Sequence, residues 1–428
     1  MASFRDRVPS VQSNAASQQQ QPIVQHDGPA DTKQKTVQTQ SKAATVTGVL
    51  QIHLQNSTKS STVYAYITGQ AINNNNALFL LRADAKTPYY PPNPPSTGTK
   101  LGANVSIPLG APGNTITATI PQLAGGRIWF SIGAPLVFAV NPGPGLVEPS
   151  IFNPQDPNIN TSFGFAEFTF NSAQLFVNIS YVDFVGPPIA LTLTDTSNTT
   201  QHVSGMPANG MQAVASGLVA QTQKDGRRWS SLIVNTSTAS NSGQLLRILS
   251  PNSGILLNPT WFQPYWTDYV NQVYARYTTS PLTVNTQASF GNVTGEVGSQ
   301  GNLNFGAGGL FPKPTAADIF GCSTGPFATG QNAETNTIIP RLAAAFNRST
   351  LLATNNIPDG EQVSQYYTNA TTNHYARIVH SANLDGKGYA FPYDDVVPDG
   401  GVPQEGALFS YSPALLTVAV GGNGAHAA

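Results

Sequence analysis

The chain has 428 residues and a mass of 45.1 kDa, enough for one large β domain with an insertion or for two or three average domains. Only 10% of its residues are charged, the formal net charge is −1, and the basic residues form no stripe, which argues against nucleic acid or an anionic membrane surface as a partner. No segment approaches the ~20 apolar residues of a membrane helix. We therefore expect a neutral partner, and a monomer as the default state.

Residues 1–44 are rich in Gln, Ser and Lys and contain almost no aromatic residues. Such a composition cannot bury enough apolar surface to offset the entropy of ordering, so it predicts a disordered tail. The same stretch lacks the apolar segment of a secretory signal, and by itself it does not predict export.

Short segments with alternating apolar and polar residues begin at Thr45 and are separated by Gly, Pro and Asn turn signals. These segments are TVTGVLQIHLQN, STVYAYITG, NALFLLRAD, ANVSIPLG, TITATIP and RIWFSIG. Many short strands at this spacing are typical of a β-sandwich or β-barrel. The sequence therefore predicts a mainly β body over residues 45–204.

A proline-rich stretch, NPGPGLVEPSIFNPQDPNIN at 141–160, interrupts the strand pattern. Its prolines and turn signals predict a long loop without regular structure. Long ordered loops in compact domains are often functional. We expect this loop to form a wall beside Glu167, which follows it closely.

The next stretch, FGFAEFTFNSAQLFVNISYVDF at 163–184, holds two aromatic and β-branched runs with one acid in each. If both runs are strands, Glu167 shares the face of Phe163 and Phe165, and Asp183 interrupts an apolar face of the second run. Burying an unpaired carboxylate costs several kcal/mol, so each acid must be paired, hydrogen-bonded, neutralised or open to a groove.

Two acids on a β platform in a neutral, aromatic-rich chain indicate glycoside hydrolysis, in which one carboxyl protonates the leaving oxygen and the other acts as base or nucleophile. The alternative is a structural acid pair that forms salt bridges with Arg127 or Arg82. A tight hairpin at 171–174 would also leave Glu167 ~16 Å along the strand from the residue opposite Asp183, whereas an inverting pair needs about 6.5–9.5 Å. We therefore expect either no simple hairpin in register, or a bulge or strong twist.

Helix-like spacing appears after residue 204, in SGMPANGMQAVASGLVAQTQ, PYWTDYVNQVYARYTT, TNTIIPRLAAAFNRSTLL and DGEQVSQYYTNATTNHYARIVH. These segments predict a mixed α/β domain over 205–385. GKGYAFPYDDV and GALFSYSPALLTVAV then predict strands that return to the β body over 386–420, before a flexible tail at 421–428. The groove between the body and the inserted domain is the default ligand site.

Other chemistry has little support in the sequence. Cys322 has no partner cysteine and no adjacent His, so we expect a buried structural thiol. The histidines show no metal-ligand spacing, and nucleotide-binding and protease motifs are missing, so we expect no cofactor and no metal. In YAFPYDDV, Asp394 or Asp395 is a candidate for binding a sugar hydroxyl, with a turn or strand-edge role as the alternative. The tryptophans and Tyr89 and Tyr90 fit core packing better than sugar stacking.

The segments GPGLVEPS, DPN, AEFTFN, SYVDF and GYAFPYDDV occur in this order within residues 45–420, with sixteen positions between Glu167 and Asp183. This set resembles glycoside hydrolase family 64, the β-1,3-glucanases that release laminaripentaose. The resemblance implies a thaumatin-like β body beside a mixed α/β domain, with a wide groove between them. It also implies an endo-acting, inverting hydrolase of β-1,3-glucan that yields short oligosaccharides.

The resemblance further implies a role for individual residues. Glu167 matches the general acid and Asp183 the base that activates water, whereas Thr169 and Asn171 match positions that bind the glucan chain. Family members act outside the cell or at the cell wall, with the cytoplasm as the alternative for a chain without a visible signal. Two other functions stay open: a glucan-binding protein without turnover, and a structural protein of a cell wall or spore coat.

Overall fold

The computed structural model describes residues 48–237 and 243–422. The predicted tail at 1–44 lies outside these residues, and so does 421–428 except for Gly421 and Gly422. Up to Val203 the regular structure is β, apart from a 3₁₀ helix at Ile72–Asn74. Its strands are β1 (Val49–Asn56), β2 (Val63–Ala71), β3 (Ala77–Leu81), β4 (Pro88–Tyr89), β5 (Thr99–Lys100), β6 (Ile107–Pro108), β7 (Thr115–Pro121), β8 (Leu123–Ile132), β9 (Ala139–Asn141), β10 (Gly145–Val147), β11 (Ser162–Phe170), β12 (Leu175–Ile179), β13 (Phe184–Val185), β14 (Ile189–Asp195) and β15 (Thr200–Val203).

Helices alternate with short strands in the next part of the chain. The α-helices are α1 (Gly210–Asp225), α2 (Pro251–Leu257), α3 (Thr267–Arg276), α4 (Ala316–Gly321), α5 (Ala333–Arg348) and α6 (His374–Ala382). The strands are β16 (Ile233–Asn235), β17 (Leu245–Leu249), β18 (Leu282–Asn285), β19 (Asn292–Val297), β20 (Leu303–Asn304), β21 (Leu310–Phe311), β22 (Asn356–Ile357), β23 (Ala407–Ser410) and β24 (Pro413–Val420). Short 3₁₀ helices lie at Arg228–Leu232, Gly306–Gly308, Gly325–Phe327 and Val363–Gln365.

Two large sheets carry most of the β structure. One has the order β15-β14-β24-β1-β7, and the other has the order β23-β12-β11-β8-β2-β3-β4 with β6 paired to β2. Strand β24, near the end of the chain, lies between β1 and β14 and is parallel to β1. The fold is therefore mainly β, as the alternation predicted.

Strand alternation explains how the sheets bury their faces. In β1, Leu50, Ile52 and Leu54 are at most 1% exposed, so one face of the strand forms core. Strand β11 is different because its residues on both faces are buried from Phe163 to Ala166. A charged side chain at the next position, Glu167, therefore emerges at the border of a packed region.

The loop at 141–160 contains more regular structure than its prolines predicted. Strands β9 and β10 form a small antiparallel hairpin, and β5 pairs with β9. Pro142 and Pro144 lie in the turn of this hairpin, and Pro149 follows β10. The paired strands therefore contain no proline, which could not donate a backbone hydrogen bond. The prediction of a wholly irregular segment is wrong for the hairpin and holds for 148–160, which consists of turns and bends.

Three of the four helix-like segments contain the expected helices, namely α1, α3 and α5. In the fourth segment only α6 is an α-helix, because the preceding residues form a 3₁₀ turn and bends among Asn and Thr. The prediction of strands in GKGYAFPYDDV is wrong: Tyr389 forms an isolated bridge with Ser180, and a turn follows.

Several smaller predictions concern the interior. Cys322 is buried, with Sγ 3.3 Å from the Ile319 carbonyl oxygen, so it is the structural thiol that the sequence predicted. Trp129, Trp229 and Trp266 are also buried in the core. Across 48–237 and 243–422, no helix combines the length and the apolar character that crossing a bilayer requires.

Candidate active site

Glu167 lies in a polar row that crosses the eight-stranded sheet. It stands opposite Arg127 of β8 on one side and Asn178 of β12 on the other. Arg127 in turn stands opposite Thr68 of β2. Directly opposed residues project from the same face of a sheet, so one surface carries all four side chains.

Arg127 joins two carboxylates. Its Nε and Nη2 donate hydrogen bonds of 3.2 and 3.1 Å to Oε1 of Glu167, and its Nη1 donates to Oε2 of Glu148. The salt bridge with Arg127 that was considered for Glu167 is thus present. The other arginine considered, Arg82, lies 5.4 Å from the ring of Tyr89 instead.

Aromatic rings support the guanidinium of Arg127. Its central carbon lies 4.8 Å from the ring centroid of Phe165 and 5.5 Å from that of Trp129. These rings also contact each other, with centroids 4.7 Å apart, and Trp129 donates a 3.1 Å hydrogen bond to Thr68. Cation–π contacts and packing therefore hold the guanidinium of Arg127 in the orientation in which it donates to Glu167.

Asp183 is held in a different way from Glu167. Strand β12 ends at Ile179, the Tyr181 amide then donates to the Tyr389 carbonyl at 2.8 Å, and β13 joins β17 of another sheet. Asp183 lies in the bend between β12 and β13, and its carbonyl accepts a 2.9 Å hydrogen bond from the Ser250 amide. The prediction that Asp183 continues the alternation of a strand is therefore wrong.

The hairpin between β11 and β12 is tight and in register, contrary to our first expectation. Phe170 pairs with Leu175, Glu167 with Asn178, and the Asn171 amide donates to the Gln174 carbonyl. The register of β11 shifts between Phe168 and Phe170 against β8, whereas its register against β12 is regular, so this irregularity is not the bulge that was predicted to bring the acids together. The chain leaves the sheet after β12, however, so residue 162 is not the partner of Asp183 and the estimate of ~16 Å along the strand does not apply.

The charges of these side chains act on one another. Burial raises the pKa of Asp183, the negative charge of Glu167 raises it further, and Arg127 opposes both. Burial likewise raises the pKa of Glu148, and Glu167 and Asp183 add to the effect while Arg127 opposes it. Burial alone would lower the pKa of Arg127, but the surrounding carboxylates raise it. Arg127 thus bonds two carboxyl groups and acts on the third, that of Asp183, through its charge.

This arrangement has the parts that acid–base chemistry needs. Within the described part of the chain, the Asp183 carboxyl accepts no hydrogen bond, so it is free to accept one from water. The Glu167 side chain is 35% exposed and can reach a bound molecule. Two carboxyl groups in different surroundings can differ in proton affinity, and this difference lets one act as the acid and the other as the base.

Thr169 and Asn171, the predicted chain-binding residues, lie along the same strand as Glu167. Thr169 is two residues further on, on the same face, and is half-buried. Asn171 starts the hairpin turn, where its Oδ1 accepts hydrogen bonds of 2.9 Å from the amides of Ala173 and Gln174. Their contribution to glucan binding stays a prediction.

Asp394 does not lie at a surface. It is 0% exposed, its Oδ1 accepts a 3.1 Å hydrogen bond from Arg348, and its Oδ2 lies 2.9 Å from Nε2 of His380. Burial would raise the pKa of Asp394, but His380 and Arg348 hold it below its usual range. The structure therefore corrects the prediction that Asp394 binds a sugar hydroxyl, because both carboxylate oxygens are engaged inside the protein.

An aromatic strip continues the sheet face beyond Thr169. Thr169 pairs with Phe176, and Phe176 pairs with Phe409 of β23. The ring of Phe409 meets that of Tyr411 edge-on at 4.5 Å, and Tyr411 is 59% exposed. The rings of this aromatic strip, Phe176, Phe409 and Tyr411, present apolar surface beside the polar row.

Sequence reasoning missed Glu148 and the aromatic strip. Glu148 lies within GPGLVEPS, but one acid in a proline-rich loop carries no periodic signal. The strip depends on the pairing of β12 with β23, two strands that are far apart in the chain. Alternation in each strand could have identified the exposed face, but not which strands lie side by side.

Comparison with known proteins identifies the family of this chain. The β-1,3-glucanase family, glycoside hydrolase family 64, matches residues 48–420. Two curated relatives called glucan endo-1,3-beta-glucosidase, from Cellulosimicrobium cellulans and Arthrobacter sp. (strain YCWD3), are each 28% identical over 288 residues, or 66% of this chain. The match spans only 50% of the length of those relatives.

Solved structures show the same fold. A laminaripentaose-producing β-1,3-glucanase in complex with laminaritetraose is 30% identical with a TM-score of 0.77, over 88% of this chain and 99% of that one. A β-1,3-glucanase domain from Clostridium beijerinckii is 22% identical with a TM-score of 0.66, over 88% and 99% of the two chains, and supports the fold alone. Because the family pattern covers nearly all of the described residues, this chain belongs to glycoside hydrolase family 64, the β-1,3-glucanase family.

Proposed function

We propose that this protein is an endo-acting glycoside hydrolase that cleaves β-1,3-glucan with inversion and releases short laminari-oligosaccharides. One observation carries the proposal: Arg127 holds the partly exposed carboxyl of Glu167, and Asp183, in the bend after β12, lies near enough for the charge of Glu167 to add to burial in raising its pKa. Family membership and the names of the relatives support the substrate.

In this mechanism Glu167 is the general acid and Asp183 the general base. Glu167 gives its proton to the glycosidic oxygen as the bond from that oxygen to the anomeric carbon breaks. Asp183 takes a proton from a water molecule whose oxygen bonds to the anomeric carbon from the opposite side. One displacement of this kind inverts the anomeric configuration and needs about 6.5–9.5 Å between the carboxyls.

The glucan would lie along the face that Glu167 shares with Thr169. Thr169 and Asn171 are suited to bind sugar hydroxyls, and the aromatic strip offers apolar faces to sugar rings. In our proposal this face is the floor of a wide groove between a thaumatin-like β body and the helical region. A chain with only 10% charged residues suits a neutral polysaccharide, and we propose that it acts outside the cell or at the cell wall.

A second candidate function is glucan binding without hydrolysis. The observation that favours it is the pair of hydrogen bonds by which Arg127 holds Glu167, because a carboxylate fixed by a cation is a poor proton donor. The two candidates differ in whether the glucan chain is cut.

Product analysis separates them. Linear β-1,3-glucan is incubated with wild type, Glu167→Gln and Asp183→Asn, and soluble sugars are analysed by chromatography, with Glu296→Gln, at an exposed position, as the matched control. The proposal expects discrete oligosaccharides from wild type and control, a loss of about 10²–10⁴-fold in both site variants, and the inverted anomer first by NMR. Glucan that is pulled down but never cut, even by wild type, would overturn hydrolysis in favour of binding.

A further inference from the structure

The bonding of Arg127 raises a chemical problem for a general acid. Three of its nitrogens donate hydrogen bonds, two to Glu167 and one to Glu148. Donors and positive charge stabilise the ionised form of a carboxyl group. A glycosidase acid must instead hold its proton until the substrate is in place.

Glu148 supplies the compensating charge. It directly follows β10, so the β9–β10 hairpin carries it to the free side of the guanidinium, where it accepts from Nη1. Arg127 is thereby bonded by one carboxylate on each side. A cation that is already paired exerts a weaker pull on a second carboxyl than an unpaired one does.

We propose that Arg127 and Glu148 are positioning residues for Glu167: Arg127 holds the carboxyl in place, and Glu148 offsets the charge of Arg127 so that Glu167 can keep its proton. This inference rests on the proposed function, in which Glu167 is the acid. Neither Arg127 nor Glu148 is assigned a contact with the substrate.

The described charged groups that face Glu167 come from three elements. Arg127 projects from β8, Glu148 follows β10, and Asp183 lies between β12 and β13. With every group ionised, three negative charges surround one positive charge, which favours retention of a proton in the cluster. Burial is the largest cause of the raised pKa values of Glu148 and Asp183, and the negative charge of Glu167 adds to both.

Carbon-13 NMR of protein labelled in its glutamate carboxyl groups tests the inference without turnover. The chain contains only six glutamates, Glu148, Glu167, Glu296, Glu334, Glu361 and Glu405, so Glu167→Gln assigns the resonance of interest. Glu148→Gln removes the compensating charge and should lower the titration midpoint of Glu167 by about one pH unit. Arg127→Gln removes the cation and should raise it.

The pH profile of hydrolysis provides the kinetic readout. In Glu148→Gln the basic limb of kcat should move to lower pH by the same shift, while in Arg127→Gln it should move to higher pH. Glu148→Asp keeps the charge and should restore most of the wild-type midpoint, and Glu296→Gln should leave it unchanged. If both residues had a purely structural role, Glu148→Gln and Arg127→Gln would lower activity, but they would not shift the basic limb of kcat in opposite directions.

An unchanged midpoint of Glu167 in Glu148→Gln, or shifts of the same sign in both variants, would overturn the inference. If Glu148→Gln does not fold, the midpoint in Arg127→Gln decides in its place. A wild type that binds glucan without cutting it would overturn the proposed function instead. The NMR midpoints would still show whether Glu148 and Arg127 control the proton affinity of Glu167.

Discussion

Arg127 and Glu167 stand directly opposite each other on neighbouring antiparallel strands, and both hydrogen bonds between them end on one oxygen, Oε1 of Glu167. Arg127 therefore fixes the direction of the carboxyl and leaves Oε2 for other contacts. Fixing a reacting group by a neighbour with little freedom of its own is a recurrent feature of active sites. In this protein the neighbour is fixed by the rings of Phe165 and Trp129.

Asp183 should lower the stability of the protein at neutral pH. Its pKa is raised in the folded protein, so the folded state binds the proton more strongly than the unfolded state does. The stabilisation is then complete below the unfolded pKa and is lost as pH rises through the folded pKa. We expect Asp183→Asn to unfold at a higher temperature than wild type at pH 7.

Thermal unfolding of both proteins between pH 4 and pH 8 checks this prediction. The gain in Tm should shrink towards the acidic end, where Asp183 is protonated in the folded state and becomes increasingly protonated in the unfolded state as well. Asp268→Asn, at an exposed position near the start of α3, is the control and should show no such gain. A gain that is independent of pH would mean that Asp183 is not the cause.

Asp394→Asn should affect stability rather than substrate affinity. Asp394 and Arg348 are both fully buried, and removal of the carboxylate leaves Arg348 with Glu361, 3.9 Å away, as its remaining anionic partner among the described residues. Removing one member of a buried ion pair costs about 3–5 kcal/mol. Urea unfolding should show this loss, while KM of the folded variant for glucan stays near the wild-type value. A large rise in KM without a loss of stability would restore Asp394 as a sugar ligand.

Gly126→Ala should disturb the strand that carries Arg127. A Cβ at this position would lie 2.5 Å from Cζ of Phe168, which is buried on the neighbouring strand. Overpacking of this kind costs about 1–3 kcal/mol, and a shift of β8 would also move Arg127. Urea unfolding and product assays measure the two effects. Gly298→Ala, where no atom lies within 4 Å of the added carbon, is the matched control.

Tyr411→Ala should weaken the use of long glucan chains. Tyr411 directly follows β23, is 59% exposed, and its ring meets that of Phe409. Loss of one ring contact is worth about 0.5–1.5 kcal/mol, or roughly twofold to twelvefold in kcat/KM. The ratio of kcat/KM for polysaccharide and for short oligosaccharides is the measurement. Leu310→Ala, which removes an exposed side chain on β21, should leave that ratio unchanged.

Much of the β structure could be predicted because each strand shows its own pattern. Alternation in VLQIHLQN identified β1 before any partner was known, since a half-buried strand must alternate. The same reasoning identified Glu167 as an acid at a packed face. The helices α1, α3 and α5 followed from their spacing in a similar way.

The surroundings of Asp183 could not be predicted in this manner. Alternation extended the strand from Leu175 through Asp183, whereas pairing with Tyr389 and Ser250 ends it early. Tyr389 and Ser250 are distant in the sequence, so no local pattern predicts these contacts. The prediction for Asp394 failed for the same reason, because its environment depends on Arg348 and His380, which are also distant or not predictable as neighbours from a local pattern.

The position of Asp183 on a connection between two sheets has a mechanical consequence. Glu167 moves with β11, whereas Asp183 moves with β13 and with Ser250 after β17. The distance between the two carboxyl groups therefore depends on how these sheets are oriented. A small rotation of one sheet against the other changes that distance. Warming should then stop hydrolysis at temperatures where every strand is still intact.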